Sequence, residues 1–100
     1  MKKHLLSLAA ALLAATLALP AAAECYADYR ASRRGGSGLE LQYGVIELPD
    51  SACASTSAAS SQIRQRISSD GWELLDVMSI FGSDGLSSRR GRAGDYFLRY

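Results

Sequence analysis

YADYRASRRGGSGLELQYGVIEL, residues 26–48, decides the architecture. From Tyr26 to Arg33 apolar and polar residues alternate. Ala27, Tyr29 and Ala31 fall on one side and Asp28, Arg30 and Ser32 on the other, which is the period of a half-buried strand. Gly35-Gly36-Ser37-Gly38 reverses the chain. Leu39 to Leu48 forms a second strand, apolar at odd positions (Leu39, Leu41, Tyr43) and then at even ones (Ile46, Leu48). The switch at Gly44-Val45 predicts a bulge that keeps both halves turned to the core. A hairpin of this kind brings Cys25 to the end of the second strand, a few residues from Cys53.

Beyond the hairpin, Pro49-Asp50 ends the strand, and Ser55, Thr56 and Ser57 are the candidate N-caps of a helix. Ala59, Ile63 and Ile67 recur every four residues and give that helix one apolar stripe, with Arg64 and Arg66 off it. Asp70-Gly71 stops it, with Gly71 as the C′ residue. Trp72 to Phe81 reads as a third strand, apolar on both faces. Gly82 to Gly94 reads as a polar loop, and Asp95 to Tyr100 as a last, aromatic strand. The order ββαββ predicts an α+β domain over 24–100, a mainly antiparallel four-stranded sheet with one helix packed on one face. A pairing of the last two strands is expected with Glu73 opposite Arg99, Trp72 opposite Tyr100, Leu74 opposite Leu98 and Leu75 opposite Phe97.

Upstream of the hairpin, Lys2, Lys3 and His4 precede an apolar run from Leu5 to Leu19, and Ala21-Ala22-Ala23 follows Pro20. That order predicts a cleavable signal peptide, residues 1–23, and export to the periplasm or the exterior. The run is shorter than a membrane span, so no stable membrane anchor is expected after cleavage. Cleavage removes both lysines and the only histidine, leaving nine arginines against ten acids, a charge of −1. A near-neutral domain exerts no long-range pull on nucleic acid. Without His or Lys there is no imidazole base, imidazole metal ligand or Schiff base, and neither a metal nor a cofactor is expected. Two cysteines in a short exported chain predict a Cys25–Cys53 disulfide. Its 28-residue loop is worth about 3–4 kcal/mol on the loop-entropy model.

Tyr43-Gly44-Val45-Ile46-Glu47-Leu48, a helix, Gly71-Trp72-Glu73-Leu74-Leu75 and Tyr96-Phe97-Leu98-Arg99 follow one another. This succession resembles a small bacterial family of unknown function with a Gly-Trp-Glu-Leu motif directly after its helix. The resemblance marks Gly71, Trp72, Glu73, Leu74 and Arg99 as a structural motif. It covers about the last three-fifths of the chain and implies a fold, since that family has no established activity to carry over. The Asn-Glu-Leu-Gly stretch that the family has late in its helix is Arg66-Ile67-Ser68-Ser69-Asp70 here.

Among candidate sites, Arg89, Arg90 and Arg92 could contact an anion or an acidic partner; a solvated, Gly-rich loop is the simpler expectation. Glu40, Glu47, Glu73, Asp76 and Asp95 are the acids a hydrolase would need in pairs about 5–10 Å apart, in a domain with little room for a cleft. Arg33 and Arg34 read as edge protection. One helix covers one face of a sheet, so strands rich in apolar residues leave part of the other face bare, with Ile80, Phe81 and Leu86 extending the patch. The expected function is therefore that of a non-catalytic binding or protein-interaction module. It would take an unknown protein or small ligand on the open sheet face. The alternatives are a self-associating domain, such as a homodimer, and a small carboxylate hydrolase.

Overall fold

The computed structural model describes residues 25–100; the expected signal peptide and its cleavage site lie outside them. The fold is α+β, with a three-stranded antiparallel sheet in the order β2-β1-β3 and two helices. β1 (Cys25–Gly35) and β2 (Gly38–Leu48) form the hairpin, paired without interruption from Cys25↔Leu48 to Gly35↔Gly38. A short 3₁₀ turn (Asp50–Cys53) leads to α1 (Thr56–Ile67), and β3 (Glu73–Phe81) returns along the other side of β1. A second 3₁₀ turn (Ser83–Gly85), α2 (Ser87–Ala93) and a third turn (Gly94–Tyr96) follow.

The inner face carries the core. Ala27, Tyr29 and Ala31 of β1 and Ile46 and Leu48 of β2 are buried against Ala59, Ile63 and Ile67 of α1, as the two periodicities require. Ser55 caps α1, accepting a hydrogen bond from Ala58 N at 3.0 Å, and Gly71 follows the helical segment in the left-handed conformation, φ 79°. Trp72 closes this end of the core, edge-on to Tyr96. Cys25 and Cys53 are joined by a disulfide, with Cα atoms 5.9 Å apart, which ties the start of β1 to the segment before α1.

Several expectations are corrected. Among the described residues the sheet has three strands instead of four, and there are two helices instead of one. Residues 82–94 are largely helical and turn-like. The region expected as a fourth strand forms one parallel bridge, Val45↔Phe97, with Leu98 N donating to Val45 O at 2.8 Å. That bridge lies beside β2, so Glu73 is opposite Ser32 of β1 and not Arg99. There is no bulge at Gly44-Val45. The parity switch in β2 arises because the apolar residues of its first half, Leu39, Leu41 and Tyr43, lie on the outer face, where Leu39 and Leu41 are exposed, while Ile46 and Leu48 of its second half face α1. The irregularities are in β3. Asp28↔Ser79 is followed by Tyr29↔Val77, and Arg30↔Asp76 by Ala31↔Leu74, so Met78 and Leu75 are extra residues without a partner on β1.

Candidate functional site

The outer face of the sheet divides into a covered and an open half. Asp28 is the centre of the covered half. It is only 4% exposed, and three neighbours on three different elements donate to it. These are Ser79 Oγ at 2.6 Å, Tyr43 Oη at 2.9 Å and Arg89 Nε at 3.0 Å. Burial pushes the Asp28 carboxyl upward, but those hydrogen bonds and the Arg89 charge outweigh it and hold the group below its ordinary value. Burial and the neighbouring Asp28 carboxylate push the Tyr43 hydroxyl in the other direction, upward.

α2 lies over this half, and arginines attach it. The Arg89 guanidinium stacks on Phe81 at 3.9 Å and Arg92 on Tyr43 at 4.1 Å, while Arg90 lies over Phe97 at 4.6 Å. The three candidate arginines are thus spread over three separate rings and do not converge on one anion. Arg33 stacks on Trp72 at 4.1 Å and donates to Glu40 and to the Asp70 carbonyl. Arg66 donates to the carbonyls of Glu47 and Tyr100, holding the last residue against α1. Of the resemblance motif, Gly71 ends the helical segment, Trp72 is buried, Leu74 is half-buried and Glu73 is exposed. Arg99 lies over Tyr96 and Tyr100, and Glu73 is opposite Ser32.

The open half runs from Arg30 and Tyr43 toward the hairpin turn. Leu39 and Leu41 are 65% and 71% exposed, and Leu75, the extra residue of one bulge, is 55% exposed. Arg30 and Asp76 form a two-pronged ion pair beside them, Nε–Oδ1 2.9 Å and Nη2–Oδ2 2.8 Å. Arg30, Leu41, Tyr43 and Leu75 line a shallow groove of about 210 Å³. The apolar patch therefore sits at the opposite end from the one expected: Phe81 is under Arg89, and Ile80 packs on the core.

Of the acids a hydrolase would need, Glu40 and Asp76 are paired with Arg33 and Arg30, and Glu47, Glu73 and Asp95 are exposed. Among the described residues no three His, Cys, Asp or Glu side chains come together as a metal site, and no helix is long and apolar enough to cross a membrane. Sequence reasoning missed Asp28. Its alternation with Ala27 and Tyr29 assigned it to the outer face correctly, and nothing local marked that face as covered. The arginine-rich stretch 89–92 was the available signal. No family model, curated protein or solved structure matches this chain.

Proposed function

We propose that this chain is a non-catalytic interaction module, exported to the periplasm or the exterior, that binds a protein through the open half of its outer sheet face. The observation that carries this is the exposure of Leu39, Leu41 and Leu75 on one surface, around the Arg30–Asp76 pair. Contiguous exposed apolar residues with a polar rim mark interaction sites. The groove of about 210 Å³ is smaller than the roughly 300–1,000 Å³ of small-molecule pockets. It suits one large apolar side chain of a protein partner, with Arg30 and Asp76 offering hydrogen bonds at its edge. Export is supported by the leader sequence and by the disulfide, which is consistent with an oxidising compartment. The kinship suggested by Gly71-Trp72-Glu73-Leu74 belongs to this proposal at the level of fold alone.

The test is affinity capture from periplasmic extract with quantitative mass spectrometry, comparing the mature wild type with Leu41→Asp and Leu75→Asp. One or more proteins should be enriched by the wild type and lost with both variants, while an exposed control outside the groove, Met78→Asp, retains them. Enrichment indifferent to Leu41 and Leu75 defeats the proposal. Sedimentation of the wild type alone separates a heterologous partner from self-association, because only the latter makes the mass depend on concentration.

A further inference from the structure

The covered half of the outer face has the parts of a receptor for a guanidinium group. Asp28 supplies a carboxylate, held by hydrogen bonds from the Ser79 and Tyr43 hydroxyls at 2.6 and 2.9 Å. Phe81 supplies a ring face, 3.9 Å from the Arg89 Cζ. Ser79 Oγ lies 3.4 Å from Arg89 Nη2, and Arg89 Nη1 donates to the Gly85 carbonyl of its own segment at 2.8 Å. A carboxylate beside a stacking ring suits a planar five-donor cation, and a compact ammonium uses the pair less well. The group that fills this receptor is the chain's own Arg89.

Most of the receptor belongs to the rigid sheet, and its occupant belongs to a segment with little else to hold it. α2 has seven residues and buries only Ala93, and no side chain caps its N-terminus. A helix this short does not persist undocked, and Gly91 weakens it further. Gly82 and Gly94 flank the segment, and Gly94 stands at φ 55°, ψ −123°, a conformation other residues avoid. Beyond Arg89 and Ala93, the segment is attached through the half-buried Leu86 and the Arg90 and Arg92 ring contacts. Past Gly94 the chain is anchored again, by Tyr96 against Trp72 and by Arg66 on the Tyr100 carbonyl. Residues 83–93 can therefore lift while both their ends stay in place.

We propose that the covered half of the outer face is a binding site for an arginine side chain of a partner protein, kept shut by Arg89 on a glycine-hinged flap. Asp28, Tyr43, Ser79 and Phe81 form the site, and a partner's arginine takes the place of Arg89. This is a second site, which borders the Leu39–Leu41–Leu75 surface at Tyr43: the ring of Tyr43 lines the groove there, and its hydroxyl reaches Asp28.

The probe is N-acetyl-arginine methylamide, titrated by NMR against the mature disulfide-bonded protein. Arg89→Ala empties the receptor and leaves the carboxylate, both hydroxyls and the ring. It should bind the probe with a Kd of about a millimolar, about tenfold or more tighter than wild type. N-acetyl-lysine methylamide should bind more weakly, and Arg89→Ala/Asp28→Asn should lose binding of both. A folded Arg89→Ala protein that binds the arginine probe no better than wild type overturns the proposal. Hydrogen exchange on the wild type keeps the test open if Arg89→Ala does not fold. Amides of 86–93 should exchange at least tenfold faster than those of α1, and faster still in the presence of an arginine-rich peptide, with α1 unchanged. Flap amides that exchange only at the α1 rate also overturn it. Leu41→Asp should leave probe binding intact, so the two sites stand or fall separately.

Discussion

Asp28 shows how one side chain can join three strands and a helix. It lies on central β1, and its donors come from β2, β3 and α2. Replacing it with Asn removes the charge that Arg89 faces and sets an amide against two hydroxyls, so Asp28→Asn should lose about 1–3 kcal/mol at neutral pH. The folded carboxyl titrates below its ordinary value of 3.8. The charge-dependent part of this stabilisation is therefore complete above about that pH and fades as the pH falls through the depressed folded value. Thermal melts should show a gap between wild type and Asp28→Asn that is constant from pH 7 to about 5 and narrows in more acid solution. A gap that stays constant into that range would show that Asp28 acts by shape alone. Gly44 is a second decisive residue, for a steric reason. A Cβ there would stand 2.5 Å from Tyr29 Cζ and Oη, and 2.8 Å from Gln42 Oε1. Tyr29 lies across β2 at this point, and its hydroxyl donates to Gln42. Gly44→Ala should cost about 1–3 kcal/mol through overpacking, whereas Gly36→Ala, with open space around it, should stay within about 0.5 kcal/mol of wild type. Denaturant unfolding of the two variants checks the contrast.

The two helices are held in different ways, which explains why one was legible in the sequence and the other was not. α1 has an apolar residue every fourth position and a serine cap, both visible in the residues themselves. α2 is Ser-Ser-Arg-Arg-Gly-Arg-Ala. It has no apolar stripe and carries a glycine, and it docks through guanidinium groups on rings that lie elsewhere in the chain. Periodicity of hydrophobic residues does not record such contacts. The β1–β2 hairpin, its end beside Cys53 and the Gly71 stop were legible because each is a local pattern. The two bulges in β3 were not, because Leu74-Leu75-Asp76-Val77-Met78 reads the same whether Leu75 and Met78 face the core or stand out as extra residues. The open half of the candidate site depends on that difference. The same reasoning predicts a gain of stability. Gly91 is inside α2, and nothing outside its own stretch of helix lies within 4 Å of the place a Cβ would take there, so Gly91→Ala meets no clash and removes a helix penalty. It should stabilise α2 by up to about 1 kcal/mol, seen as slower hydrogen exchange across 87–93 with little change in α1. Faster exchange there would mean that α2 is held in a geometry poorer than a free helix prefers.

At the scale of the whole molecule, the disulfide and the flap act on different parts of the fold. Cys25–Cys53 fixes the start of β1 to the turn before α1, and so closes the segment that contains the entire hairpin. Opening it restores the freedom of a loop spanning 28 residues, about 3–4 kcal/mol on the entropy model. For a domain of this size that corresponds to a fall in Tm of about 15–25 °C. The flap, residues 83–93, lies outside that loop, and its attachments to Asp28, Tyr43, Phe81 and Phe97 persist as long as the sheet does. Local opening has its own free energy, lower than that of global unfolding. Cys25→Ser/Cys53→Ser should therefore weaken protection in β1, β2 and α1 by the full loss of global stability. Flap amides should keep their wild-type exchange rate, at a temperature where the variant is still folded. If the flap loses protection in step with α1, then its opening is global unfolding, and the outer face has no movable cover.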